Sequence, residues 1–176
     1  MELLRVLMED MKEPVSYLPL GIGVAVVAML LMRLIAGKRA WGRPQRLFVF
    51  LLAVYGTVVW VQAFFSREPG SRSGIDWGLF ETWGTSWQSR AYVIENVIMF
   101  LPLGVLLPLV MHRCRKWWKM LLISLIWSVM IEGMQLVTGR GFCQLDDVVM
   151  NTAGGCLGYG MLRCAESFIF KVRGKN

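Results

Sequence analysis

Residues 118–137 read WKMLLISLIWSVMIEGMQLV. A helix of about 20 residues spans about 30 Å, the thickness of a bilayer's hydrocarbon core. Working outward, residues 17–35, 47–65, 91–111 and 148–168 form four further apolar runs of similar length. The chain has 176 residues, 56% hydrophobic and 18% charged, with mean hydropathy +0.52. A soluble domain carries about a quarter charged residues. Here the apolar residues are gathered into membrane-length runs instead of being dispersed in a core pattern. This predicts an all-α integral membrane protein with one membrane domain over 1–176 and about five transmembrane helices.

The leader MELLRVLMEDMKEP is mixed in charge rather than basic, and its apolar run outlasts a signal peptide's core of about 7–15 residues. The first segment is therefore expected to be a retained helix. The net charge of +7 does not point to nucleic acid, because the basic residues alternate from loop to loop. Lys38, Arg39, Arg43 and Arg46 fill the loop after the first run, and Arg113, Arg115, Lys116 and Lys119 the loop after the third. Lys171, Arg173 and Lys175 close the chain. Basic loops stay cytoplasmic, which predicts an outer N-terminus, outer loops at 66–90 and 138–147, and a cytoplasmic C-terminus. Trp117 and Trp118, like Trp83 and Trp87, flank runs where interfacial aromatic belts belong. The Gly-, Ser- and Trp-rich loop 66–90 has the composition of a lid or interfacial element, not of a domain.

That topology gathers polar residues. Asn96 falls near the outer end of the third segment, Glu132 and Gln135 near the outer end of the fourth, and Asp147 and Asn151 at the start of the fifth. Glu132 and Gln135 share a face at i,i+3, as do Asp147 and Asn151 at i,i+4. Gly154, Gly155 and Gly158 continue the second stripe, and Gly154 to Gly158 is a GxxxG that admits a close helix neighbour. Asp146 and Asp147 also suit a helix N-terminus by charge. In NVIMFLPLG, Phe100 and Gly104 follow Asn96 at helical spacing, and Pro102 removes a backbone donor and favours a kink. Charges near hydrocarbon are costly, so such a cluster is a functional candidate by default; a hydrogen-bonded network pinning the fourth to the fifth segment is the alternative. Arg140 is the cation expected to balance Glu132, Asp146 and Asp147, which leaves surplus negative charge for a proton, a cation or a cationic ligand group.

Other chemistry finds little support. His112 is the single histidine and sits on the basic side, so no Ser-His-Asp or Cys-His triad can form on the outer side. Cys114, Cys143, Cys156 and Cys164 form no ligand-spaced set, and only Cys143 falls on the oxidising side. Glu132, Asp146 and Asp147 match no established metal loop, so neither metal nor cofactor is expected. Glu132 and Asp147 are the candidates for acid and base, although no nucleophile motif accompanies them.

The strings NVIMFLPLG and EGMQLVTGRGFCQLDDVVMNTAGGCLGY resemble the signature of VanZ-like membrane proteins over residues of about 90–160. The matching positions are Asn96, Phe100, Pro102, Gly104, Glu132, Gln135, Gly139, Arg140, Asp146, Asp147, Asn151, Thr152 and Gly154. Glu95 is not part of that pattern and stays outside the expected site. The family's namesake is associated with low-level resistance to teicoplanin, a lipoglycopeptide. The resemblance implies a protein of the bacterial cytoplasmic membrane with an envelope-related role, and it supplies no reaction. Three readings stand open. The outer cluster binds a lipid-linked envelope molecule or lipophilic antibiotic; or it modifies such a molecule; or it only holds the fold of an accessory protein whose surface recruits a partner. The lipid bilayer is the one partner common to all three.

Overall fold

The computed structural model describes residues 1–36, 42–70, 74–79, 84 and 86–173. Lys38, Arg39, Trp83 and Lys175, which the charge and aromatic patterns place in loops, lie outside the described residues. Two short helices, α1 (Glu2–Asp10) and α2 (Lys12–Ser16), lead into α3 (Leu18–Ala36). α4 (Arg43–Trp60) ends in a widened π turn at Val61–Phe65. α5 (Trp87–Val110) is capped by Ser86, whose hydroxyl accepts the Ser89 N–H. α5 runs unbroken through Pro102 and Pro108. A short 3₁₀ turn (His112–Cys114) leads to α6 (Trp117–Thr138), and α7 (Leu145–Arg173) follows. Gly139 stops α6 with a left-handed φ of 62°, a conformation glycine adopts without a side-chain penalty. Two-residue strands β1 (Ile75–Asp76) and β2 (Cys143–Gln144) pair in parallel and join the loop before α5 to the loop after α6.

Four stretches are long and apolar enough to cross a membrane: Glu2–Ile35, Pro44–Phe65, Trp87–Val110 and Trp117–Thr138. That is consistent with a multi-pass membrane protein. The sequence predicts five crossings, and α7 is the one that does not reach the same apolarity. It has ample length, 29 residues, but Asn151 and a run of glycines dilute it. Those residues face other helices. On α3, by contrast, Leu20, Val24, Val27 and Leu31 are exposed, as lipid-facing positions are.

α5 and α7 form the closest pair. A Cβ on Gly154 would lie 2.3 Å from the Val97 carbonyl oxygen, and one on Gly158 would lie 2.2 Å from that of Leu101. From the other side, a Cβ on Gly104 would lie 2.1 Å from the Gly155 oxygen. The two backbones touch, which only glycine permits. α6 closes on α7 where Gly155 meets Ser124. The core lies where α4, α5 and α6 meet, with Val59, Phe64, Phe100, Leu103, Met120 and Ile131 buried in one cluster. At the opposite end from β1 and β2, Glu166 of α7 bonds Arg115 at 2.6 Å and Arg163 at 2.7 Å.

Candidate functional site: an acid-lined cavity at one end of the bundle

The ends of α4 and α6 and the starts of α5 and α7 meet on the same side of the bundle. α1 and α2 lie there too, held by Gln88 donating to Asp10 Oδ2 at 2.8 Å and by Gln62 donating to Glu13 Oε2 at 3.4 Å. Between these elements is a cavity of about 1050 Å³, the size of a ligand site. Asn96, Glu132, Gln135 and Asp147 line it, together with Gln144, Phe142 and Arg67. Its apolar wall includes Val58, Val59, Ile98, Met99, Pro102 and Ile131.

Each polar residue is held in a defined way. Glu132 is only 3% exposed, and its Oε2 accepts the Gln144 N–H at 3.0 Å. The amide of Asn96 donates to Asp147 Oδ1 at 2.6 Å. This contact ties α5 to the first turn of α7 directly above the glycine seam. Gln135 and Arg140 turn toward the π turn of α4. Gln135 donates to the Ala63 carbonyl at 3.1 Å, and Arg140 Nη1 donates to the Phe64 carbonyl. A π turn offsets its carbonyls from the ordinary helical ladder. These two side chains answer them and clamp α4 to the α6–α7 corner.

Three residues of the predicted cluster do not line the cavity. Asn151 is 1% exposed and donates to Ser128 Oγ at 2.9 Å, inside the α6–α7 contact. Asp146 is also 1% exposed, and Arg140 faces α4. The reason is angular. At 100° per residue, Asp147, Gly154 and Gly158 point within about 20° of one direction, toward α5. Asn151 and Gly155 are turned by about 40–80° from Asp147, toward α6. The single stripe predicted for α7 thus serves two neighbours.

For Glu132 and Asp147 the counter-charge comes from another residue. Arg140 is the expected partner of the acids, but its charge is directed to α4 and lies 5.7 Å from the Phe65 ring centre. Arg67, just beyond the π turn, is the cation whose charge reaches both Glu132 and Asp147. It sits against Gly141, where a Cβ would lie 2.7 Å from its Nη1. Glu95, set aside on sequence grounds, lines the cavity, and its buried Oε1 has no hydrogen-bond partner. Pro102, read as a structural residue, belongs to the apolar wall. The local field is negative: burial, then Glu132 and Asp147, push the Cys143 thiol above its ordinary range. Among the described residues, no three His, Cys, Asp or Glu side chains converge as a metal ion requires.

Phe100, Gly104, Gly154, Gly155 and Gly158 form the α5–α7 seam or its immediate core, below Asn96, Glu132 and Asp147 at the cavity. The VanZ/LLP1 family profile matches residues 25–169. The chain belongs to the VanZ-like family. The match takes in the last twelve residues of α3, all of α4, α5 and α6, and α7 as far as Ile169, so it extends well beyond the polar corner. Comparison with curated proteins and with solved structures gave no significant match.

Proposed function

We propose that this VanZ-like protein resides in the bacterial cytoplasmic membrane and uses the cavity to hold a lipid-linked or lipophilic envelope molecule. In this reading α7 is the fifth crossing and the cavity opens outward, because the basic residues Arg113, Arg115, Lys116 and Lys119 gather at the other end. The observation that carries the reading is the composition of the cavity. One wall is apolar, built by Val58, Val59, Ile98 and Met99, while Glu132, Asn96 and Asp147 supply the polar groups. Such a lining suits a molecule with a greasy part and a polar part. Low-level resistance to a teicoplanin-type lipoglycopeptide would follow if the held molecule were the drug or the lipid-linked target it needs.

One observation favours a second reading. Glu132 and Asp147 both face the cavity and lie within electrostatic reach of each other. In this second reading they act as acid and base on a lipid-linked substrate. The purely structural reading draws support from Asn151 and Arg140, which bind helices together, and from Asp146, which is buried outside the cavity lining.

Susceptibility to teicoplanin and vancomycin in a Gram-positive host tests the proposal. The strains carry empty vector, the chain, Glu132→Gln or Asp147→Asn, at matched membrane levels. Teicoplanin-selective protection that the substitutions weaken is expected. Equal susceptibility of all strains with well-expressed protein would remove the resistance role.

A further inference from the structure

The cavity has two polar ends that differ in charge balance. At one, Arg67 faces Glu132 and Asp147. At the other, α1, α2 and α5 contribute Glu9, Asp10, Glu13 and Glu95, and no basic residue among the described residues lines that end. Lys12 and Arg5 of the same short helices are exposed and point away from the lining. Glu95 lies within hydrogen-bond reach of Asp10, and its Oε1 has no other partner. Among the described residues the lining holds seven carboxylates, Glu9, Asp10, Glu13, Glu68, Glu95, Glu132 and Asp147, against one cation, Arg67, so its potential favours a positive ligand group. Among the described residues no three of these groups converge on one point as a metal would need. Tyr55 and Tyr92 also line the chamber, and aromatic faces beside carboxylates suit an organic cation. From Glu95 the apolar wall continues through Ile98 and Met99 to Pro102, about 10 Å along α5.

We infer that the cavity takes a single-chain amphiphile with a cationic headgroup, an ammonium or guanidinium, seated among Asp10, Glu13 and Glu95 with its chain along Ile98, Met99 and Val58. This rests on the reading of the cavity as a site for a lipophilic molecule and adds the sign of the headgroup and its location. Charge complementarity selects the cation. A fatty acid or a phosphate headgroup would meet carboxylates, with Arg67 already engaged at the far end.

The test uses the full chain in phosphatidylcholine nanodiscs, with dodecylamine, dodecanol and dodecanoate as probes and empty discs as the partitioning control. Thermal unfolding is followed by tryptophan fluorescence. Dodecylamine is expected to raise the unfolding temperature in a saturable way, with the alcohol weaker and the carboxylate without effect. Glu95→Gln and Asp10→Asn, which keep side-chain shape, should each weaken the amine by about tenfold, the loss of one charged contact. Glu2→Gln, which changes an exposed carboxylate of α1 outside the lining, should leave the amine's effect intact. Dodecanol or dodecanoate stabilising as well as the amine would overturn the cationic headgroup while leaving a lipophile site in place. Unchanged amine affinity in both Glu95→Gln and Asp10→Asn would overturn the seat assigned to it. No saturable effect from any of the three would overturn both the inference and the reading beneath it.

Discussion

Glu132 carries a carboxylate into a nearly closed place and is answered there by the Gln144 N–H. Replacing it by glutamine retains an acceptor for that N–H, so thermal unfolding of Glu132→Gln should differ little from wild type. Glu132→Ala leaves the N–H bare and should lose about 1–3 kcal/mol. Cys143 offers an independent reading of the same charge. Its thiol is raised first by burial and then by Glu132 and Asp147, so it holds less thiolate than an ordinary cysteine near pH 8. Removing the negative charge with Glu132→Gln should lower that pKa and speed alkylation of Cys143 by iodoacetamide at a fixed pH; an unchanged rate would mean that Glu132 carries no charge there. Asn96, Glu132 and Asp147 were legible in the sequence because three helix ends had to reach one level. Arg67 and Glu95 were not. Arg67 belongs to a loop whose return path depends on the π turn, and Glu95 reaches the cavity only because α1 folds back across α5.

At the scale of elements, the glycines of α5 and α7 replace side chains with backbone contact. Gly104→Ala and Gly158→Ala would each place a methyl group about 2 Å from a carbonyl oxygen and must push the helices apart. Both should lower stability by about 1–3 kcal/mol or more. Gly133→Ala and Gly160→Ala meet nothing within 4 Å and serve as controls, with no loss expected in the same unfolding assay. The GxxxG predicted this closeness, because spacing alone brings Gly154 and Gly158 to one face. The π turn at Val61–Phe65 had no such signature, and with it the roles of Gln135 and Arg140 stayed hidden. Gln135 lines the cavity and clamps α4 at once, whereas Arg140 only clamps. Arg140→Ala should destabilise the fold by about 1–3 kcal/mol while the protein that remains folded keeps its ligand affinity. α7 was located by its apolar run, yet the charged and polar residues along it, Asp146, Asp147, Asn151, Arg163 and Glu166, keep it less apolar than the other spans.

For the whole molecule, the arrangement places an amphiphilic chamber at one end of a helical bundle and an Arg115–Glu166–Arg163 cluster at the other. Alternating basic loops predict which end faces out. In a cysteine-free background, a membrane-impermeant maleimide added to whole cells should label Glu68→Cys and spare Lys116→Cys; the reverse pattern would turn the chamber to the cytoplasm. The all-helical, multi-pass architecture was legible because membrane spans advertise themselves by length. The chamber was not, since it depends on how α1 and α2 lie against α4 and α5, which periodicity does not encode. The most direct test of its purpose is native mass spectrometry of the protein released from its own membrane, comparing wild type with Met99→Trp, which fills the apolar wall. The account predicts a co-purifying lipophile on wild type that is depleted from a folded Met99→Trp protein. Equal occupancy of the two, or a wild type that carries none, would contradict it.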